Sequence, residues 1–170
     1  MINETQKNAL YGKYLAIYQA HKADPSFFTL PQCNTELTTV MGGRHWSWHV
    51  IGITKAALEI YKQCGFRYKS RQGLTRAHIK PRIETSKKLL NVDTPVTQKE
   101  FFEIWLEADK TIICGPGENK DGFVPDYIPL PNDDYTLFKS HTIGWKESAN
   151  CEGQLLEALY KSHCQGDKSL

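Results

Sequence analysis

The sequence lacks the features that direct a chain to a membrane or build a zinc ribbon. It contains no run of 18 apolar residues, so no membrane-spanning segment is expected. Its opening string, MINETQKNALYG, has neither a basic start nor an apolar core, so no secretory signal peptide is expected. The five cysteines form no CxxC pair. We interpret them as free thiols and expect a cytoplasmic protein with no membrane partner.

The composition is that of an ordinary globular chain. Of its 170 residues, 40% are hydrophobic and 24% are charged, which predicts a single domain over residues 1–170. Helical and strand-like stretches alternate, with no internal repeat and no linker. The predicted fold class is therefore α+β, a single compact domain with a short, mixed, mostly antiparallel sheet packed against about five helices.

Several elements can be placed from local patterns. Helices are predicted over residues 5–21 and 151–163, and another begins at the capping box of Thr97 and Glu100. The apolar string KTIIC predicts a short buried strand, and alternation of polar and apolar residues predicts strands through 45–49 and 76–80. Residues 26–36 look irregular, with a proline as a breaker.

Positive charge is concentrated in one segment of the chain. Residues 62–88 hold nine Lys or Arg and one acidic residue, although the whole chain has a net charge of only +2. A basic segment with interleaved aromatic residues is typical of a surface that binds a polyanion, and it is equally typical of a solvated face. We predict a nucleic-acid partner, DNA or RNA, contacted by Arg67, Tyr68, Lys69, Arg71, Arg82 and Lys87.

One histidine lies among these cations. On a strand, Arg76, His78 and Lys80 share one face, and Pro81 is well placed to begin a helix directly behind them. Cations beside a helix N-terminus favour phosphate, and a histidine there can exchange protons near neutral pH. We predict His78, Arg76 and Lys80 as catalytic residues, with His49 as a second histidine on the same open face.

This prediction has a geometric consequence for the sheet. The apolar residues of both alternating strands should face the helices, which leaves the histidines together on the other face. We therefore expect His78 within about 10 Å of His45 or His49, roughly two strand spacings. The acidic segment 89–126 should flank this face.

The string RAHIKP, residues 76–81, resembles the segment around the first histidine of HNH, or His-Me finger, nucleases. The resemblance implies a histidine at a strand end that activates water, followed by a helix that supplies metal ligands. It covers six residues, and the Asn-Gly pair and second histidine of that family do not follow in RIETSKKLLNVD.

A polar loop, GPGENKDG, offers oxygen ligands. Glu118 and Asn119, with Asp121 nearby, predict a Mg²⁺ site, and a plain polar loop would have the same composition. Together these patterns predict a nuclease of the restriction or toxin type. The alternatives are a non-catalytic nucleic-acid-binding or regulatory module, or an enzyme that acts on a phosphorylated small molecule.

Overall fold

The structure, a computed structural model, describes residues 2–42, 47–67, 73–120, 124–131 and 150–165, with side chains from residue 153 onward in the last range. These ranges form a small single-domain α+β arrangement of six helices and a four-stranded sheet, which confirms the predicted fold class. In chain order the elements are α1 (Glu4–Ala23), α2 (Leu30–Met41), β1 (His49–Ile53), α3 (Lys55–Gln63), β2 (Thr75–His78), α4 (Arg82–Leu90), α5 (Gln98–Ala108), β3 (Lys110–Cys114), β4 (Ile128–Pro129) and α6 (Asn150–Cys164).

The sheet has the strand order β2-β3-β1-β4. Strands β1 and β3 run parallel, whereas the β2–β3 and β1–β4 pairs are antiparallel, as the prediction of a mixed and mostly antiparallel sheet requires. The central strand β3 is the KTIIC string. Its residues from Thr111 to Cys114 are fully buried, because both faces of this strand are covered.

Two apolar clusters hold the layers together. One joins a sheet face to α3 and α6 through Val50, Ile53, Ile113, Leu58 and Leu156. The other joins α1, α2, α4 and α5, and we call it the helical core. Its main residues are Tyr14, Leu37, Leu90, Phe101 and Trp105, each with no exposed surface.

Local capping explains where several helices begin. At α5 the side chain of Thr97 accepts from the backbone N–H of Glu100, and the Glu100 carboxylate accepts from the N–H of Thr97. The same reciprocal pair, Asn3 with Gln6, begins α1. The capping box predicted at Thr97 is therefore confirmed.

Helix α2 corrects the prediction that residues 26–36 are irregular. The helix begins at Leu30 and has Pro31 in its first turn. Proline is tolerated there, because the first N–H groups of a helix have no intrahelical acceptor to lose. Pro31 is therefore part of the start of a helix and does not break one.

Strand β1 begins later than the alternation predicts. It starts at His49, and Trp48 has a φ of 59°, which is outside the extended region. Residues 43–46, including His45 and Trp46, lie outside the described residues. In the part of the chain that the structure does describe, no helix combines the length and the apolar character needed to cross a bilayer.

Candidate functional site

Five elements, β1, β2, β3, α4 and α5, meet at the end of the sheet where β1 and β3 begin and β2 ends. His78 is the last residue of β2, and Arg82 is the first residue of α4. Asp109 follows α5 directly and precedes β3, and Trp48 precedes β1. The short turn through Pro81 returns the chain so that two residues four apart, His78 and Arg82, come into contact. We call the set of side chains that meets here the polar cluster: Trp48, Arg76, His78, Arg82, Asp109 and Thr111.

Asp109 lies at the centre of the polar cluster and has no exposed surface. Its Oδ1 accepts a short hydrogen bond from Arg82 Nη2 and lies 3.5 Å from His78 Nε2. Its Oδ2 accepts from the backbone N–H of Trp48 at 2.8 Å. A buried carboxylate is stable only when it is paired and hydrogen-bonded, and both oxygens of Asp109 meet that requirement.

His78 lies at the edge of this cluster, with 15% of its side chain exposed. Its Nε2 accepts from Arg82 Nε at 3.1 Å, because a guanidinium nitrogen is always a donor. The same Nε2 is close to Asp109 Oδ1, so a proton on this nitrogen would also have an acceptor. Nε2 therefore has a donor beside it when it is unprotonated, and when it carries a proton Asp109 Oδ1 is its acceptor, with Arg82 Nε–H as a second donor nearby.

Trp48 is held in a left-handed conformation by its neighbours. Its carbonyl accepts from Arg76 Nη1 at 2.9 Å and from Thr111 Oγ1 at 3.1 Å. Its N–H is bound by Asp109. Its indole packs against the imidazole of His78 in a T-shaped contact, with 4.8 Å between ring centroids. Residue 48 is thus part of the site through both its backbone and its ring.

The cluster contains two guanidinium groups and one carboxylate. Burial lowers the pKa of Arg76 to about 10, although Tyr61 and Asp109 oppose the shift. Burial also lowers the pKa of Arg82, and its ion pair with Asp109 opposes that shift. Arg82 Nη1 is buried and has no hydrogen-bond partner within the described structure, and its guanidinium stacks on the Trp105 ring at 4.6 Å. A donor nitrogen of Arg82 is therefore available to an anion at this site.

The structure corrects the expected positions of two arginines. Arg76 is 7% exposed, and the side chain of Arg82 is 11% exposed, so neither lies on an open basic face as the sequence predicts. The alternation of polar and apolar residues predicts that Arg76 lies on the face of β2 opposite its apolar residues. Arg76 pairs with Ile113 of β3, and helices α3 and α6 cover the face on which both residues lie. Ala77 on the other face is also buried, because both faces are covered.

The register also separates His49 from His78. His78 pairs with Thr111 and His49 with Lys110, and consecutive residues of β3 point to opposite faces. The expectation that these two histidines share one face is therefore wrong, because both faces of the sheet are covered and the apolar residues Val50 and Ala77 face opposite sides. His45 lies outside the described residues, so the structure does not test its proximity to His78.

The other predicted nucleic-acid contacts lie at the surface or outside the described residues. Arg67 is exposed. Lys80 and Lys87 are each about half exposed and lie beside acidic groups, Lys80 Nζ at 3.5 Å from Glu107 and Lys87 Nζ at 2.7 Å from Glu84. Tyr68, Lys69 and Arg71 lie outside the described residues. Lys80 and Lys87 therefore have part of their charge neutralised locally.

The predicted metal ligands have other partners in the structure. Glu118 Oε2 accepts from the Thr54 hydroxyl at 2.5 Å and from the Gly115 N–H at 2.7 Å, which closes the loop after β3 onto the start of α3. The Asn119 amide donates to the Arg76 carbonyl at 3.4 Å. Among the described residues, no group of three or more His, Cys, Asp or Glu could hold a metal ion. Asp121 lies outside those residues, and the Mg²⁺ site stays a prediction.

Sequence reasoning missed Asp109, Trp48 and Thr111 as parts of this site. Asp109 carried a usable signal, because it lies between an amphipathic helix and a short strand that is expected to be buried, so its side chain could reach the interior. Trp48 carried none, since its left-handed φ depends on side chains that are distant in sequence. Comparison of the chain with protein-family models, with curated proteins and with solved structures finds no match.

Proposed function

We propose that this protein is an enzyme that cleaves phosphodiester bonds in nucleic acid, with His78 as its acid–base residue. The observation that carries the proposal is the placement of His78 Nε2 between a donor, Arg82 Nε at 3.1 Å, and an acceptor, Asp109 Oδ1 at 3.5 Å. A ring with a partner in each protonation state can exchange a proton at Nδ1 with the substrate without losing its orientation.

The role of Arg82 follows from its neighbours. It lies beside the histidine, and its remaining nitrogen, Nη1, has no acceptor within the described structure. A guanidinium next to a scissile phosphate stabilises the negative charge that develops on the phosphate oxygens. Asp109 holds both side chains and is a positioning residue.

The polar cluster and the surrounding surface suit a polyanionic substrate. Arg82 Nη1 has no acceptor within the described structure and could donate to a phosphate oxygen. Arg67 and Lys88 are exposed in the same basic segment. These exposed cations would contact further phosphates along a strand.

One observation favours a second candidate, an enzyme that acts on a phosphorylated small molecule. Two of the cations predicted at the site, Arg76 and Arg82, are buried close together, which concentrates the charge at a single place. The two candidates differ in their dependence on salt. Binding of a nucleic acid at several phosphates weakens steeply with salt concentration, whereas binding of one phosphorylated molecule does not.

The test is turnover on plasmid DNA and on total RNA, each with Mg²⁺ and with a chelator. We expect His78→Ala to lower turnover by roughly 10²–10⁴-fold with little loss of binding, the range for removal of an acid–base group. His163→Ala is the matched control, because His163 is exposed near the end of α6. Thermal unfolding of each variant verifies that the chain is folded.

Three outcomes would contradict parts of the proposal. Cleavage of neither nucleic acid by the wild-type protein rejects the nuclease function. Equal turnover by the wild type and His78→Ala rejects the role of the histidine. Undiminished cleavage in chelator rejects the predicted Mg²⁺ requirement and leaves a mechanism that depends on His78 and Arg82 alone.

A further inference from the structure

We propose that Trp48 is a base-stacking residue, so that the substrate presents an unpaired base beside His78. This inference rests on the proposed function and specifies its substrate class as single-stranded or locally unpaired nucleic acid. The inference is based on three features of Trp48: its backbone conformation, the atoms that fix that conformation, and the position of its ring.

The backbone of Trp48 is in a conformation that bulky residues rarely adopt. Its φ of 59° is in the left-handed region, where glycine and asparagine are favoured and a large side chain is strained. Strain of this kind persists only where the surroundings impose it, and it concentrates at binding and catalytic sites. A tryptophan at this position therefore needs a reason other than the backbone geometry.

The contacts that impose the conformation use only backbone atoms of Trp48. Asp109 accepts from its N–H, and Arg76 and Thr111 donate to its carbonyl oxygen. These hydrogen bonds could form with any residue at position 48 except proline, although the Thr111 hydroxyl is equally close to the His49 carbonyl. Asparagine or glycine would keep them and reduce the strain, so the indole does not serve to hold the backbone.

The ring of Trp48 is placed where it can touch the substrate. The residue is partly exposed, and its indole lies 4.8 Å from the His78 imidazole, at an interplanar angle of 68°. A substrate atom that exchanges a proton with the His78 imidazole would therefore lie close to the indole. The hydrogen bonds described above fix the backbone of Trp48, and the T-shaped contact with His78 orients its indole before substrate binds.

The chemistry of an indole next to a phosphate site selects a nucleobase. Bases stack on aromatic side chains irrespective of sequence, and a base on Trp48 would bring a neighbouring phosphate to His78 and Arg82. Bases within a duplex are already stacked on both faces, so they are accessible to an aromatic residue only after unpairing. The geometry therefore favours a single strand over a duplex.

The experiment compares the binding of a fluorescein-labelled single strand of about 12 nucleotides with that of a hairpin duplex of the same sequence, by anisotropy at constant salt. It is run with DNA and with RNA for the wild type, Trp48→Phe and Trp48→Asn. We expect the wild type and Trp48→Phe to prefer the single strand. We expect Trp48→Asn to lose about five- to 100-fold in single-strand affinity, the range for one lost base–aromatic stack, with unchanged duplex affinity.

Phe66→Asn is the matched control, because Phe66 also has a positive φ, 56°, and its ring packs on Tyr160 of α6. It relieves the same kind of strain and is expected to keep the preference for the single strand. If Trp48→Asn does not fold, Trp48→Gly replaces it, since glycine adopts this φ at no steric cost.

The outcomes separate this inference from the proposed function. Equal losses on both substrates, or no loss on either, overturn the stacking role of Trp48 even when cleavage still depends on His78. A wild-type protein that neither binds nor cleaves any nucleic acid overturns both proposals. Selective loss of single-strand binding in Trp48→Asn, with the preference kept in Trp48→Phe and Phe66→Asn, supports the stacking role.

Discussion

The helical core and the polar cluster adjoin each other, and they bury polar groups in opposite ways. In the helical core, the buried polar atoms are mainly tyrosine hydroxyls. Tyr14 donates to the Leu89 carbonyl at 2.9 Å, and Tyr11 and Tyr18 donate to carbonyls of the loop between α4 and α5. Each of these hydroxyls is neutral and has a partner, whereas the Nε1 of Trp105 is buried without a partner within the described structure. The helical core thus buries aromatic surface and neutral polar groups, with no charge among them.

The polar cluster buries charge instead. Arg76, Arg82 and Asp109 are taken out of water around a strained backbone and a histidine. Such an arrangement is an inefficient way to stabilise a fold, because desolvation offsets much of the attraction between the charges. The difference indicates that the helical core stabilises the domain more efficiently than the polar cluster does, and it is consistent with the proposed function of the polar cluster.

The variant that is expected to affect the polar cluster most is one that removes the Asp109 carboxylate. Asp109→Ala leaves Arg82 buried without its carboxylate and leaves the Trp48 N–H without its acceptor. We expect a loss of about 3–5 kcal/mol in the free energy of unfolding, measured by urea denaturation, because an uncompensated charge stays buried. We also expect loss of turnover in the fraction that remains folded.

A double variant tests whether the buried charges are needed for stability or for turnover. Arg82→Met with Asp109→Asn removes both charges and keeps an oxygen for the Trp48 N–H. We expect it to regain most of the stability lost in Asp109→Ala, because replacement of a buried ion pair by uncharged groups is often neutral. We expect turnover to stay low. If turnover returns with stability, the charges are structural and the comparison fails.

The corresponding change in the helical core is Tyr14→Phe. It leaves the Leu89 carbonyl and the Val96 N–H without the hydroxyl that both contact, so we expect a loss of about 1–3 kcal/mol in unfolding free energy. Turnover per folded molecule should be unchanged. A specific loss of turnover would show that the helical core contributes to the chemistry.

The same variant has a signature at alkaline pH. Burial raises the pKa of Tyr14 from 10.0 to about 12, so its contribution to stability is complete below pH 10 and is lost as pH rises towards 12. Between these values the unfolded state loses the phenol proton and the folded state keeps it. We expect the stability of wild type to fall more steeply there than that of Tyr14→Phe.

The smallest effect is expected at the surface start of α5. Thr97→Ala removes one side of the capping box, and we expect a loss of about 1 kcal/mol in the free energy of unfolding, measured by thermal unfolding.

The stabilisation by this capping box also depends on pH. The Thr97 hydroxyl and N–H lower the pKa of Glu100 below its usual 4.5, so the contribution of the Glu100 carboxylate to stability is present above that pH and is lost as pH falls. The difference between the wild type and Thr97→Ala should therefore shrink in acid. A constant difference would argue against the hydroxyl as the cause.

Most elements of the fold could be predicted, because their causes are local. The Thr97 capping box, the apolar string of β3 and the stripe of α6 each depend on residues within a few positions of one another. Helix α2 was missed because Pro31 was interpreted without its position in a first turn. The start of β1 was missed because Trp48 leaves the extended region through contacts with distant side chains.

The candidate site was predicted only in part. His78 and the cations near it could be found from charge and alternation. Which of those cations are buried depends on what covers the sheet, and α3 and α6 come from other parts of the chain. Asp109 contacts His78 and Arg82, which lie 31 and 27 residues earlier in the sequence. Hydrophobic periodicity relates only residues a few positions apart, so it could not predict these contacts.

The sequence by itself determined the α+β class, the capped helices, the buried central strand and the basic segment that contains His78, because periodicity, capping and charge act over a few residues. Only the tertiary structure decided that Arg76 and Arg82 lie inside, that Asp109 pairs with Arg82, and that His49 and His78 point to opposite faces. The physical reason is that the burial of a charge and the register of a sheet depend on groups distant in sequence, whose attraction takes effect only once packing has excluded water.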